Sequence, residues 1–104
     1  MNFTFEITEI HSARHPITIL VGWLREGQIR VYDSISLPLK NGTKGQGLII
    51  ALETNRTRMN AVSAGDVDGM VALAVDVKHK AEEIQVGLAT FNESERVGKT
   101  ASGD

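Results

Sequence analysis

The chain has 104 residues, 41% hydrophobic and 23% charged, with a formal net charge of −2 and no cysteine. That length makes one domain, large enough to bury a core without covalent staples. The lack of cysteine excludes disulfides and thiolate metal sites and favours a reducing compartment, and the small negative charge supplies no global field to attract nucleic acid.

Read in chain order, period-2 alternation dominates. Phe3, Phe5 and Ile7 form one face of a first strand, with Thr4, Glu6 and Thr8 opposite. The N-terminus has neither a basic start nor a long apolar run, so it is not a signal peptide. A loop around His11–Pro16 leads to a second strand, Ile17–Arg25, rich in β-branched and large apolar residues. Glu26-Gly27 reads as a turn. Gln28–Leu39 reads as a long third strand that bends near Tyr32-Asp33-Ser34.

Lys40–Gly47 holds three glycines in eight residues and reads as a loop. Leu48–Glu53 is a strand, Thr54–Thr57 is polar, and Arg58–Val62 is a short strand. Ser63–Gly69 is a turn, and Met70–Val77 is apolar enough to be buried on both faces. Lys78–Glu83 makes one helical turn or a loop. Glu83–Phe91 is the last strand, with Ile84, Val86 and Leu88 in alternation. The apolar runs Ile17–Leu24 and Met70–Val75 are far too short to span a membrane, so a cytoplasmic location and no membrane partner are expected. The tail, residues 92–104, has one large apolar residue, Val97, and is expected to be disordered beyond a domain at residues 1–91. Six or seven short strands separated by turn signals indicate an all-β barrel or sandwich.

Reactive constellations are missing. Gly98-Lys99-Thr100 ends like a phosphate-binding loop, but position 93 is Glu where the motif needs glycine. Asp66-Val67-Asp68-Gly69 begins like a calcium loop without its later ligands, and reads better as a turn. His11 and His15 lack a third metal ligand, and no serine sits in a nucleophile elbow. No catalytic residue, metal or cofactor is therefore expected, and the chain reads as a non-enzyme. Trp23 and Tyr32 suit core or cross-strand packing, with base stacking as the alternative. Lys40, Lys44, Arg56, Arg58, Lys78 and Lys80 fall in or beside loops, either as solubilising charge or as a patch for phosphate or an acidic partner.

Three segments together resemble one family. Gly22–Ile35, GWLREGQIRVYDSI, resembles the G-x-(V/I)-x-x-G-x-(I/V)-x-V-G-D-x-(V/I) hairpin in domain 2 of translational GTPases. Leu52–Gly69 is similar to that domain's later segment, through Glu53 and the Ala64-Gly65-Asp66 turn, and Ile84–Ala89 to its final strand. The resemblance covers about residues 5–91. It implies a closed antiparallel β-barrel of six to seven strands, of the kind found in elongation factor Tu and its relatives, without the GTPase domain and without nucleotide binding. In elongation factor Tu such a barrel packs on the GTPase domain and holds the acceptor end of aminoacyl-tRNA.

By that resemblance Arg56 falls on an arginine of the acceptor-end pocket and Met59 on an apolar position of the same segment. Val21 and Val67 stand where the family has threonine and asparagine, and Tyr32 where it has glycine. The lost polar groups leave little to hydrogen-bond a ribose or an α-amino group. Two roles follow as expectations. One is a stand-alone, non-catalytic module that binds a protein partner or itself. The other is an RNA-binding accessory protein using the six basic residues on one rim.

Overall fold

The computed structural model describes residues 2–91, so the C-terminal segment and its Gly98-Lys99-Thr100 sequence lie outside the described residues. Eight strands form: β1 (Phe3–Ser12), β2 (Ile17–Arg30), β3 (Ser34–Pro38), β4 (Lys44–Thr54), β5 (Thr57–Met59), β6 (Ala61–Ser63), β7 (Val71–Val77) and β8 (Gly87–Phe91). Six of them close an antiparallel barrel in the order β1-β8-β3-β4-β7-β2, with β2 returning to β1. The two short strands lie outside the ring, β5 on β4 and β6 on β2.

Alternation builds the core. Phe3, Phe5 and Ile7 of β1, Leu20 and Leu24 of β2, Ile35 and Leu37 of β3, and Val71, Leu73, Val75 and Val77 of β7 all point inward. Phe3 meets Phe91 edge-on, with ring centroids 5.9 Å apart, and joins β1 to the end of β8. Closure leaves the six ring strands without a free edge, which removes the chief aggregation hazard of a small sheet.

Several sequence expectations need correction. Glu26-Gly27 is no turn. β2 runs straight through it, Arg25 is the extra residue of a bulge against Thr4 and Phe5, and Gly27 takes φ +81° where a Cβ would strike the Asn2 carbonyl. The chain reverses four residues later, at the predicted bend near Tyr32. Lys44–Gly47, read as loop, belongs to β4: its glycines lie against neighbouring residues and form no turn. Arg58–Val62 splits at Asn60, because its halves pair with different strands.

β7 is buried on one face only; Ala72 and Ala74 are half-exposed and Asp76 is exposed. The last strand begins at Gly87. Ile84 faces the core, but the alternation slips at Gln85-Val86, before the strand begins, so Ala89 and Phe91 turn inward and Val86 and Leu88 outward. Lys78–Glu83 contains a short 3-10 turn, Ala81–Glu83. Among the described residues, no helix is long and apolar enough to cross a membrane.

Antiparallel order assigns each loop to a barrel end. Loops β1–β2, β3–β4 and β7–β8 share one end, here called the upper rim. The β2–β3 turn and the segment from β4 to β7 occupy the lower rim.

Candidate binding surfaces

The lower rim carries a shallow trough. Its first wall is the β2–β3 turn. Asp33 N–H donates to the Arg30 carbonyl at 3.1 Å, closing a four-residue turn, and the Asp33 carboxylate accepts the Arg30 N–H at 3.0 Å. Tyr32 occupies the third position at φ +76°, the place where a type II turn requires a positive φ and ordinarily glycine. A side chain there costs about 1–2 kcal/mol. Burial among the described residues does little to offset that cost, because Tyr32 is 73% exposed.

The floor comes from β4. Ile49 pairs with Val75 and Ala51 with Ala74, so Ile50 is the extra residue of a bulge. A bulge re-aims its side chain, and Ile50 with Ala51 lines the trough. The second wall is the β5–β6 corner, Arg58 to Ala61, held by Val31 N–H donating to the Asn60 carbonyl at 3.0 Å. The trough is open to solvent and holds about 490 Å³, with Arg30 and Arg58 beside an apolar floor.

A smaller depression, about 120 Å³, adjoins it through Ala51 and Arg58, and is lined also by Glu53, Ile19, Ala72 and Ala74. Glu53 and Arg58 face each other in register there. Arg56 sits at the tip of the β4–β5 hairpin, where Asn55 (φ +48°) and Arg56 (φ +64°) form a two-residue turn.

The six basic residues fall into two groups. Arg56 and Arg58 belong to the lower rim. Lys40, Lys44, Lys78 and Lys80 belong to the upper rim, near the other end of β4, which is 11 residues long. At about 3.3 Å per residue the ends of that strand lie roughly 30 Å apart. A single rim uniting all six does not exist.

Trp23 packs across strands, facing Glu6 in register with the Arg25 guanidinium 5.6 Å from its ring centroid. Tyr32, expected to pack likewise, is instead exposed because its turn projects it from the barrel end. The sequence signal for the trough was the replacement of the family glycine by Tyr32; the bulge at Ile50 had none. Among the described residues no group of three or more His, Asp or Glu side chains is arranged to hold a metal ion.

No protein-family model matches this sequence, and no curated protein does. Solved structures do. Translation elongation factor SelB from Methanococcus maripaludis superposes on 89% of the chain with a TM-score of 0.71 at 17% identity. A bacterial selenocysteine-specific elongation factor, EF-Sec, superposes on 86% with a TM-score of 0.66 at 15% identity. The chain spans 19% and 14% of those two proteins. At such identity the likeness concerns the fold: the chain has the translation-factor domain 2 type of barrel.

Proposed function

We propose that this barrel is a non-catalytic cytoplasmic binding module whose lower-rim trough docks a protein segment. The observation that carries this reading is Tyr32. An exposed aromatic is held at a backbone conformation that disfavours it, beside Met59, Arg30 and Arg58. Backbone strain of this kind persists where function demands the side chain. Tyr, Met and Arg are also the residue types enriched at protein interfaces. An apolar floor between two guanidinium groups suits a segment with an apolar residue flanked by carboxylates. Translation factors that share the fold act through contacts with other macromolecules, which agrees with a binding role but names no partner.

Affinity capture from nuclease-treated lysate tests this, with wild type compared against a Tyr32→Ser/Arg58→Glu variant of equal melting temperature. A defined protein retained by wild type and lost by the variant supports the reading. Should that protein be the chain itself, the trough is a self-association site. Capture that vanishes on nuclease treatment, or that ignores the two substitutions, overturns it.

A further inference from the structure

We infer that the upper rim is a second binding surface, independent of the trough, and that it takes the sugar–phosphate backbone of RNA. The four lysines there surround one hub. The His79 ring lies against Gly45, beside Lys44; a Cβ on Gly45 would come within 2.8 Å of its Cδ2 atom. Lys40 N–H donates to the Glu83 carbonyl at 2.9 Å, and Lys80 N–H to Glu83 Oε1 at 2.8 Å. Lys78 follows Val77, which pairs with Gly47. Two loops distant in sequence thus present Lys40, Lys44, Lys78 and Lys80 together, all exposed.

Five cations, the four lysines and Arg14, stand against four exposed carboxylates at this end, Glu9, Asp76, Glu82 and Glu83. Glu83 is engaged by the Lys80 amide and lies 3.8 Å from His79 Nδ1. Glu9 hydrogen-bonds His11 at 2.9 Å and, with Lys40, Glu82 and Val86, lines a neighbouring cleft of this rim. No lysine of the group has an ion-pair partner among the described residues. Asn41 uses its side-chain oxygen to accept Thr43 N–H (2.9 Å) and Thr43 Oγ1 (2.6 Å), which leaves its NH2 group for an outside acceptor.

The chemistry favours a phosphate backbone over a protein. Residues 40–44 and 78–83 expose no large apolar side chain; Val86, 53% exposed, lies beside Lys40 and Glu82, a single exposed apolar residue where an interface core with a protein needs several. Flexible ammonium groups and an amide donor are the usual phosphate contacts, which position a nucleic acid without reading its sequence.

Fluorescence anisotropy with a fluorescein-labelled 20-nucleotide oligouridylate tests the inference. Four lysine–phosphate contacts on a single strand give a slope of about −3 for log affinity against log salt, or about a 50-fold loss between 50 and 200 mM KCl. Lys44→Glu/Lys78→Glu is expected to weaken binding at least ~10-fold and flatten that slope, while Lys44→Arg/Lys78→Arg retains it. Arg56→Ala/Arg58→Ala, on the opposite rim, is expected to leave it unchanged. If the glutamate pair lowers the melting temperature, Lys44→Gln/Lys78→Gln replaces it. No binding at 50 mM KCl, binding indifferent to the lysine substitutions, or equal competition by polyglutamate would each overturn the proposal. Because Tyr32 and Arg58 lie on the other rim, loss of the trough reading leaves this result intact.

Discussion

Tyr32 donates its backbone N–H to the Ile49 carbonyl at 2.6 Å, and Ile49 N–H donates back to the Asp33 carbonyl at 3.0 Å. The pair pins a left-handed tyrosine to the middle of β4, immediately before the bulge at Ile50. Glycine would keep both backbone bonds and shed the steric cost of the Cβ, about 1–2 kcal/mol, in return for greater entropy in the unfolded chain. Tyr32→Gly is therefore expected to raise stability by roughly 0.5–1 kcal/mol in urea denaturation and to abolish capture of the trough's partner. Tyr32→Ala keeps the strain and loses only the ring, so it should not stabilise. If alanine stabilises as much as glycine, backbone strain is not the reason.

The fold was largely legible because barrel strands declare themselves by alternation, and Phe3-Phe5-Ile7 and Leu20-Gly22-Leu24 do so on one face. A break near Tyr32 was legible too, but as a bend within one strand, Gln28–Leu39, and not as the turn that separates β2 from β3. The two-ended distribution of charge was not. A strand that crosses the barrel sends the chain to the other rim, whereas a three-residue strand leaned on the outside does not. Thr57–Met59 and Ala61–Ser63 look in sequence like one crossing strand, yet both stay at the lower end. Which rim receives Lys78 and Lys80 turns on that distinction, and local periodicity carries no information about it. Gly27 misled for a related reason: a positive-φ glycine serves a bulge as well as a turn.

Gly22 shows why one residue of the family-like hairpin is glycine. A Cβ there would overlap the carbonyl oxygen of Glu6, on the neighbouring strand β1. Backbone atoms cannot swing aside as a side chain can, so the β1–β2 contact would have to open. Gly22→Ala is expected to cost about 3 kcal/mol or more, at the upper end of overpacking effects. Thermal unfolding within a degree or two of wild type would show that the two strands can separate freely.

The β4–β5 hairpin invites the opposite change. Asn55 and Arg56 both adopt positive φ, the requirement of a type I′ turn, whose preferred sequence is Asn-Gly. Arg56→Gly should stabilise the barrel by about 0.5–1 kcal/mol and leave Arg58 in place on β5. A chemical-shift map confined to the hairpin, with a raised urea midpoint, is the expected result. A lowered midpoint would mean that the Arg56 side chain makes contacts that outweigh its strained backbone.

The shifted alternation ahead of Gly87 is testable with two neighbours of similar hydrophobicity. Ile84 is 1% exposed and closes the upper end of the core, bridged to Leu39; Leu88 is 60% exposed on the outer face of β8. Sequence alternation alone places both on one face, whereas the slip at Gln85-Val86 separates them. Truncating a buried isoleucine removes its transfer free energy and leaves a cavity, together about 2–5 kcal/mol. Truncating an exposed leucine stays within about 0.5 kcal/mol. Ile84→Ala should therefore lower the urea midpoint sharply while Leu88→Ala hardly moves it. Equal costs for the two would restore the uninterrupted strand from Glu83 and remove the slip at Gln85-Val86 that precedes β8.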